Sequence, residues 1–591
     1  MKKEYNFYNT IFESLKFGFP LLKKQFIIMQ VVSLLFYSFP VVGIILNKNI
    51  FDSINILPEN PNKLIPLIFL ITMYFLYLLI NRFHLIYYTR YLLQYGNLLK
   101  FEKLSKIKLH EKCDEINGEK YEDSSLYKEI LKARNASQNV YRIIEISIYI
   151  IGLSFGSVFI FLNIKSFNPY LLIFVLLNSF AIFFENYIKG KKISRFKIKN
   201  AQKNREFEGI NDLFIKYNSN RELKVFNIMT FVKNKWNEKI NYLIEEEKHL
   251  NRSQIFLVIF SEIIKFISQF GAYFLSGYLF INQKISLGEF TASLVAFSSL
   301  VNFTNEFFEL TSFLNQFVFL VKPFFNFMNI RHNKRNEIND KKFKNIKLNN
   351  VSFIYPNTNK KAVNNINIEI NKGDKIALVG ENGSGKSTLI KLMLGLYTPT
   401  EGNVLYNGEK SKGIDKKDLY SDKSVVFQDF NRYFMSVYEN VLMGNYCENN
   451  RQEIVQSLIK SGFPLNKFSL EDNLGRDFGG IELSGGEWQK LSIARGFFKR
   501  SEMVVFDEPT SAIDPFQESK LYEKFFELFS KKTMLLVTHR LGAIKLVDKI
   551  IVLNDGKIIE VGTHEELINR NGYYNKLWHS QTKWYDLNCD S

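Results

Sequence analysis

Three short stretches carry residue types that could act on phosphate. GENGSGKS (380–387) fits the spacing G-x-x-x-x-G-K-[ST]. Gly380, Gly383 and Gly385 let the chain curl, so that backbone N–H groups, those of Asn382 and Ser384 included, point at phosphate oxygens. Lys386 is expected to reach the β- and γ-phosphates of a nucleotide and Ser387 to ligate Mg²⁺. The helix starting near Lys386, with Thr388 in its first turn, adds its positive end to the same anion. MVVFDEP (503–509) runs four apolar residues into Asp507, a carboxylate placed for a metal. Glu508 follows, where a general base could polarise an attacking water. In LSGGEWQK (483–490), Ser484, Gly485 and Gly486 open a helix, a second phosphate-binding arrangement. One nucleotide does not need two such loops from one chain. Two chains that face each other, each completing the other's site, would use both.

These residues need elements to hold them. From about Phe343 onward, short strand-like runs such as KIALVG (375–380) and MVVFDEP alternate with helical stretches, an α/β nucleotide-binding layout. The first half differs. It carries six apolar runs near the ~20 residues needed to cross a bilayer: 26–46, 64–80, 143–164, 170–188, 254–281 and 290–321. Connections after the first, third and fifth runs are short, with few charges. Those after the second and fourth are long and basic, such as KGKKISRFKIKNAQKNR (189–205). The positive-inside rule puts the long ones and the N-terminus in the cytoplasm, and the α/β half with them. RHNKRNEINDKKF (331–343) reads as the linker, giving a membrane domain over 1–335 and a nucleotide-binding domain over 336–591.

The net charge of +18 would suit nucleic acid or an anionic membrane surface. The basic residues crowd the polar stretches between apolar runs, which favours membrane lipid and no nucleic-acid partner. Cys113, Cys447 and Cys589 are far apart and show no metal or disulfide spacing. MKKEYNFYNTIFESLKFGF has no apolar core followed by a small-residue cleavage site, so no cleaved signal peptide is expected.

With these motifs in order, the second half resembles the ATPase domain of ABC transporters, and six spans ahead of it resemble a half-transporter of the exporter type. The resemblance implies an α-helical six-span transmembrane domain followed by an α/β P-loop ABC ATPase domain. It implies ATP and Mg²⁺ as cofactors and a second half-transporter as partner, in a homodimer. The place would be the cytoplasmic membrane. It also implies roles: Tyr355 (VSFIYP) stacked on adenine; Gln428 (VVFQDF) on Mg²⁺ and sensing the membrane domain. Ser484, Gly485 and Gly486 would bind the γ-phosphate of the partner's ATP, Asp514 (SAIDP) would couple the two sites, and His539 (LLVTHR) would contact the γ-phosphate. Glu487 stands where most of the family has Gln, and Ile513 where Leu is usual. Neither change removes a catalytic group.

Two cytoplasmic stretches, within 119–133 and 218–236, resemble the family's coupling helices, which would pass the ATPase motion to the spans. Charges inside spans are expensive and often functional. Glu262 and Lys265 lie three apart in the fifth run, where they could neutralise each other or serve the cavity. Glu306 and Glu309, late in the sixth, are expected to face water. Acids lining the cavity would favour a cationic substrate. The stretches 426–445 and 478–490 are similar to exporters of lantibiotics and other modified peptides. The leading expectation is therefore ATP-driven peptide export, with no built-in peptidase, since the chain starts almost directly with its first span. A lipid flippase, a multidrug exporter, an ATP-gated channel, an importer and a soluble ATPase acting on DNA or ribosomes are the competing readings.

Overall fold

The computed structural model describes residues 7–58, 61–82, 85–116, 118–330, 342–356, 358–446, 450–509, 515–538 and 544–586. The chain divides into two compact units, Met1–Lys112 with Glu129–Ile330, and Cys113–Lys128 with Arg331–Ser591. The expected boundary at 335/336 and most of the linker lie outside the described residues.

The first unit is helical: α1 (Phe7–Gly18), α2 (Lys23–Ile56), α3 (Leu64–Arg82), α4 (Leu85–Glu115), then past a short α5 (Gly118–Tyr121), α6 (Ser124–Phe167), α7 (Leu171–Ile215), α8 (Tyr217–Val225), α9 (Met229–Ile281) and α10 (Leu287–Met328). Among the described residues, five helices are long and apolar enough to cross a membrane: α2, α3, α6, α7 and α9. The sixth apolar run lies on α10, which is not among those five. The long basic connections are not loops. Lys, Arg, Glu and Gln are good helix formers, and α7 continues through 189–205 to Ile215. The 53 residues of α9 extend to roughly 80 Å at 1.5 Å per residue, far beyond the ~30 Å hydrocarbon core.

Small residues let these helices approach. A Cβ on Gly156 of α6 would lie 2.2 Å from the Tyr37 carbonyl oxygen of α2, and one on Gly152 would lie 2.1 Å from Ser33 Oγ. At the start of α10, Ser286 and Glu289 form a capping box. Asp52 of α2 accepts the Gly288 N–H at 2.8 Å, and Lys48 pairs with Glu289 at 3.1 Å. Carboxylates thus meet the positive end of the helix. Many apolar side chains of the first unit point outward, among them Ile65, Phe69, Phe256 and Phe266.

The second unit holds two sheets. A six-stranded one has the order β10-β9-β3-β8-β7-β6. Its strands are β3 (Lys375–Val379), β6 (Lys423–Val426), β7 (Met503–Asp507), β8 (Thr533–Val537), β9 (Lys549–Asn554) and β10 (Lys557–Gly562). All pair in parallel except β10. The near-continuous apolar runs of β3, β7 and β8 follow from burial on both faces. The other sheet is antiparallel, β2-β1-β4-β5, with β1 (Asn345–Ile354), β2 (Lys361–Asn371), β4 (Glu401–Tyr406) and β5 (Glu409–Lys410). Its inner face and α11 (Lys386–Met393) share one apolar core with β3, β7 and β8. A separate apolar cluster joins α13 (Val437–Leu442), α14 (Arg451–Ser461) and α15 (Gly485–Phe498) around the fully buried Trp488.

Candidate nucleotide site

Parallel pairing brings the carboxyl ends of β3, β6 and β7 to one edge of the sheet, where α/β folds bind ligands. The loop from Gly380 to Gly385 leaves β3 at that edge and enters α11. Gly383 and Gly385 adopt φ of 82° and 102°, conformations that side chains disfavour, so the curl depends on glycine. The Lys386 side chain is buried, and its ammonium donates to the carbonyls of Gly380 and Glu381, each at 2.8 Å. Burial lowers its pKa, while Glu508 and Asp507 raise it. The Ser384 hydroxyl is buried with no partner among the described residues. A buried hydroxyl and a buried ammonium in a curled loop fit an anion of phosphate type. Asn382 is exposed at the loop's outer side, and Thr388 is buried under it.

Asp507 closes β7 beside this loop and is 4% exposed. Ser387 Oγ donates to Asp507 Oδ1 at 3.3 Å, so the two expected metal ligands stand together. Hard oxygens of this kind suit Mg²⁺. Desolvation pushes the Asp507 carboxyl up to about 6, against the hydrogen bond from Ser387, and the charge of Glu508 pushes the same way. Glu508 is half-buried at φ 48°, in the left-handed region that non-glycine residues seldom occupy. Its N–H is tied to the Val537 carbonyl at 2.9 Å, on neighbouring β8. Such strain gathers at functional sites.

Tyr355 lies next to α11, its hydroxyl 3.0 Å from Thr388 Oγ1 and its ring edge-on to Phe353 and Tyr397. Gln428 is exposed, two residues beyond β6 at the same sheet edge. Ser484 caps α15, with Gly485 and Gly486 in its first turn. Glu487 supplies the second half of that capping box, accepting the Ser484 N–H at 2.8 Å. Ser484, Gly485 and Gly486 open α15, whose Trp488, Leu491 and Ala494 belong to the separate apolar cluster rather than to the core shared by β3, β7 and α11. Asp514 and His539 lie outside the described residues.

Part of the stretch 119–133, expected to pass the ATPase motion to the spans, makes defined contacts in the structure. Residues 113–128 pack within the second unit. Tyr397 donates to Glu122, Lys391 pairs with Glu122 at 3.4 Å, and Glu119 accepts the Thr398 N–H. Lys416 donates to the carbonyls of Asp114 and Ile116 at 2.6 and 2.8 Å. Lys391 is on α11, the helix whose first residue is Lys386. The acidic–aromatic pattern of Glu119, Tyr121 and Glu122 carried the expectation for this stretch but did not name Tyr397, Lys391 and Lys416 as its partners.

Residues 363–511 match the protein-family model described as ABC transporter. The chain is 31% identical over 374 residues to the subtilin transport ATP-binding protein SpaT of Bacillus subtilis, covering 61% of this chain and 60% of that protein. It is 30% identical over 372 residues to the nisin transport ATP-binding protein NisT of Lactococcus lactis subsp. lactis, covering 61% and 62%. It is 32% identical over 303 residues to the ATP-dependent lipid A-core flippase 2 of Colwellia psychrerythraea, covering 51% and 52%. The matched stretch spans about three fifths of the length of the first two relatives. Among solved structures, a bacterial Atm1-family ABC exporter with ATP bound superposes with a TM-score of 0.79 at 17% identity, covering 95% of this chain and 99% of that one. The chain thus has the fold of an ABC exporter, apolar helices followed by an α/β ABC ATPase domain, and that domain is nucleotide-binding.

Proposed function

We propose that the chain is one half of an ATP-driven exporter that moves a modified peptide across the cytoplasmic membrane by alternating access. The observation that carries this is the joining of one site to one scaffold. Lys386, Ser387, Asp507 and Glu508 converge at one sheet edge, in a chain with five apolar helices of membrane length. The two relatives named for subtilin and nisin transport support a peptide cargo, and the flippase relative keeps lipid as the second reading.

In this reading Lys386 and the N–H groups of the curled loop hold the β- and γ-phosphates of ATP. Ser387, Asp507 and Gln428 hold Mg²⁺, which would neutralise charge on the phosphates. Glu508 orients the attacking water and takes its proton, and His539 contacts the γ-phosphate. Tyr355 stacks on adenine. Ser484, Gly485 and Gly486 would complete the site of a second copy, with Asp514 between the two. Separation of the Ser484 cap from the phosphate loop onto its own apolar cluster supports this dimeric arrangement.

The contact of residues 113–128 supports a coupling role for that stretch. Lys386 at one end of α11 would feel the phosphate, and Lys391 near the other end pairs with Glu122. A rigid helix can pass a small shift from one to the other. The second stretch, on α8 and the start of α9, exposes Val225, Phe226 and Phe231, an apolar face suited to a second copy.

ATP hydrolysis by the full chain in lipid nanodiscs, against modified cationic peptides, lipids and drugs, tests the reading, with Glu508→Gln as the blank. Selective stimulation by peptides is expected. Stimulation by lipids alone would move the assignment to a flippase. No hydrolysis above the blank would overturn a self-sufficient homodimer.

A further inference from the structure

We infer that Tyr397 is a positioning residue that carries occupancy of the base position on Tyr355 to the stretch 118–122. The inference deepens the exporter reading and rests on the adenine position proposed for Tyr355. The route through α11 starts at the phosphates, whereas this one starts at the base. Tyr397 is 4% exposed and is held on three sides. Its N–H donates to the Lys391 carbonyl at 3.2 Å, at the end of α11. Its ring stacks on Phe353 with centroids 5.2 Å apart, and meets the Tyr355 ring edge-on at 6.0 Å. Phe353 and Tyr355 are edge-on to each other at 5.1 Å, so the three rings close a triangle. Phe353 and Tyr397 are buried and Tyr355 is half-buried, so Tyr355 is the corner that a base can reach.

A phenylalanine at 397 would fill the triangle equally well. The hydroxyl serves the other side: it donates to Glu122 and accepts from Lys391 Nζ at 3.0 Å. The neighbouring contacts of 118–122 fall on the same short segment. Glu119 accepts the Thr398 N–H, and a Cβ on Gly118 would lie 3.1 Å from the Leu396 carbonyl. A shift of Tyr397 is therefore a shift of the surface on which 118–122 sits. Close-packed rings do not move independently. A base stacked on Tyr355 restrains that ring and favours the arrangement in which Tyr397 meets Glu122. An aromatic pair of this kind can bias an equilibrium by roughly two- to tenfold. The bias is reciprocal, so the Glu122 contact in turn favours the base.

Cys113 reports on this contact from within the chain. It is half-buried, and its carbonyl accepts the Tyr121 hydroxyl at 3.1 Å. In the full chain in nanodiscs, with Cys447→Ser and Cys589→Ser, Cys113 is reacted with N-ethylmaleimide, with and without saturating Mg²⁺ and AMPPNP, which is not hydrolysed. The nucleotide is expected to slow the reaction by about threefold or more. Tyr397→Phe keeps the ring and removes the hydroxyl, and Tyr355→Leu removes the ring that meets the base. Each should abolish the slowing. Glu122→Ala should do the same from the exposed side, and it stands in for Tyr397→Phe if that variant does not fold. No slowing by the nucleotide, or slowing that survives either Tyr397→Phe or Glu122→Ala, would overturn the inference. Slowing that survives Tyr355→Leu would also overturn it, because the signal would then come from the phosphates through Lys391 alone. Affinity for AMPPNP, measured by isothermal titration, tests the base position separately. Tyr355→Leu should weaken it by about tenfold, the size of one base–aromatic stack. Unchanged affinity would remove adenine from Tyr355, and the inference with it. Weakened affinity with unaltered labelling would remove the inference alone.

Discussion

The phosphate loop and the ion-pair cluster of Lys189, Glu185, Lys265 and Glu262 on α7 and α9 are both polar, but they are built in opposite ways. The loop takes its shape from backbone. Positive φ at Gly383 and Gly385, a strand behind and a helix ahead set its N–H groups within a dozen consecutive residues. The cluster is assembled from side chains on two long helices, with Glu185 and Lys265 meeting across 80 residues of sequence. Chemistry is therefore concentrated in a few groups of the second unit, while the first unit depends on packing and on isolated polar pairs. Substitutions should divide accordingly.

The largest effect is expected at Glu508. Glu508→Gln should lower ATP hydrolysis by about 10²-fold or more, with ATP binding retained, as for loss of a general base. Steady-state hydrolysis and nucleotide-binding assays on one preparation would check the split. Equal loss of both would move Glu508 from chemistry to structure and erase the contrast.

Next comes pH. The Asp507 carboxyl is raised to about 6 from an ordinary 3.8, so without nucleotide and metal the protonated form predominates below about pH 6. A raised carboxyl contributes stability that is present below about 4 and lost as pH rises through about 6. Binding of Mg²⁺ requires the carboxylate and releases that proton. Mg²⁺-dependent ATP affinity should be level above pH 6 and fall by about tenfold per unit below it. Isothermal titration across pH 5 to 8 would show this, and an affinity flat through that range would remove Asp507 from the metal site.

The first unit should answer in stability instead. Gly156→Val puts methyl groups where a Cβ alone is 2.2 Å from the Tyr37 carbonyl. Overpacking of this kind costs about 1–3 kcal/mol. Gly190→Ala, inside α7 with nothing within 4 Å of the added Cβ, should instead raise stability by up to about 1 kcal/mol. Thermal unfolding of the two variants in nanodiscs gives the comparison. Equal shifts would mean that α2 and α6 do not depend on close approach.

The smallest effect in energy is expected where residues 113–128 dock. Glu122 is partly exposed, and such pairs contribute about 1 kcal/mol or less. Glu122→Gln should leave the melting temperature nearly unchanged and basal hydrolysis intact, while reducing stimulation by cargo. Unaltered stimulation would argue that the Tyr397 and Lys391 contacts carry no signal.

Some expectations met a different structure. The charged stretch 189–205 reads as a connection because it is polar, but its residues favour helix and it extends α7. Glu306 was expected to face water late in its span. It is half-buried instead and accepts a hydrogen bond from Tyr37, which is 1% exposed in the middle of α2. The pair is 269 residues apart, and periodicity on α10 alone carries no information about α2.

What the sequence by itself determined is local. GENGSGKS, MVVFDEP and LSGGEWQK each place their groups by backbone geometry over a few residues, so their spacing is their structure. Apolar length marked six runs near the length that crosses a bilayer, and among the described residues five of them lie on helices long and apolar enough to do so, because hydrocarbon admits only a backbone that satisfies its own hydrogen bonds. The tertiary structure alone decided the meetings of distant residues: Ser387 with Asp507, Tyr37 with Glu306, Glu122 with Tyr397, and Lys265 between two carboxylates. Those depend on which helices and strands pack together, and that choice is made by the summed burial of many side chains, none of which marks its partner in the chain.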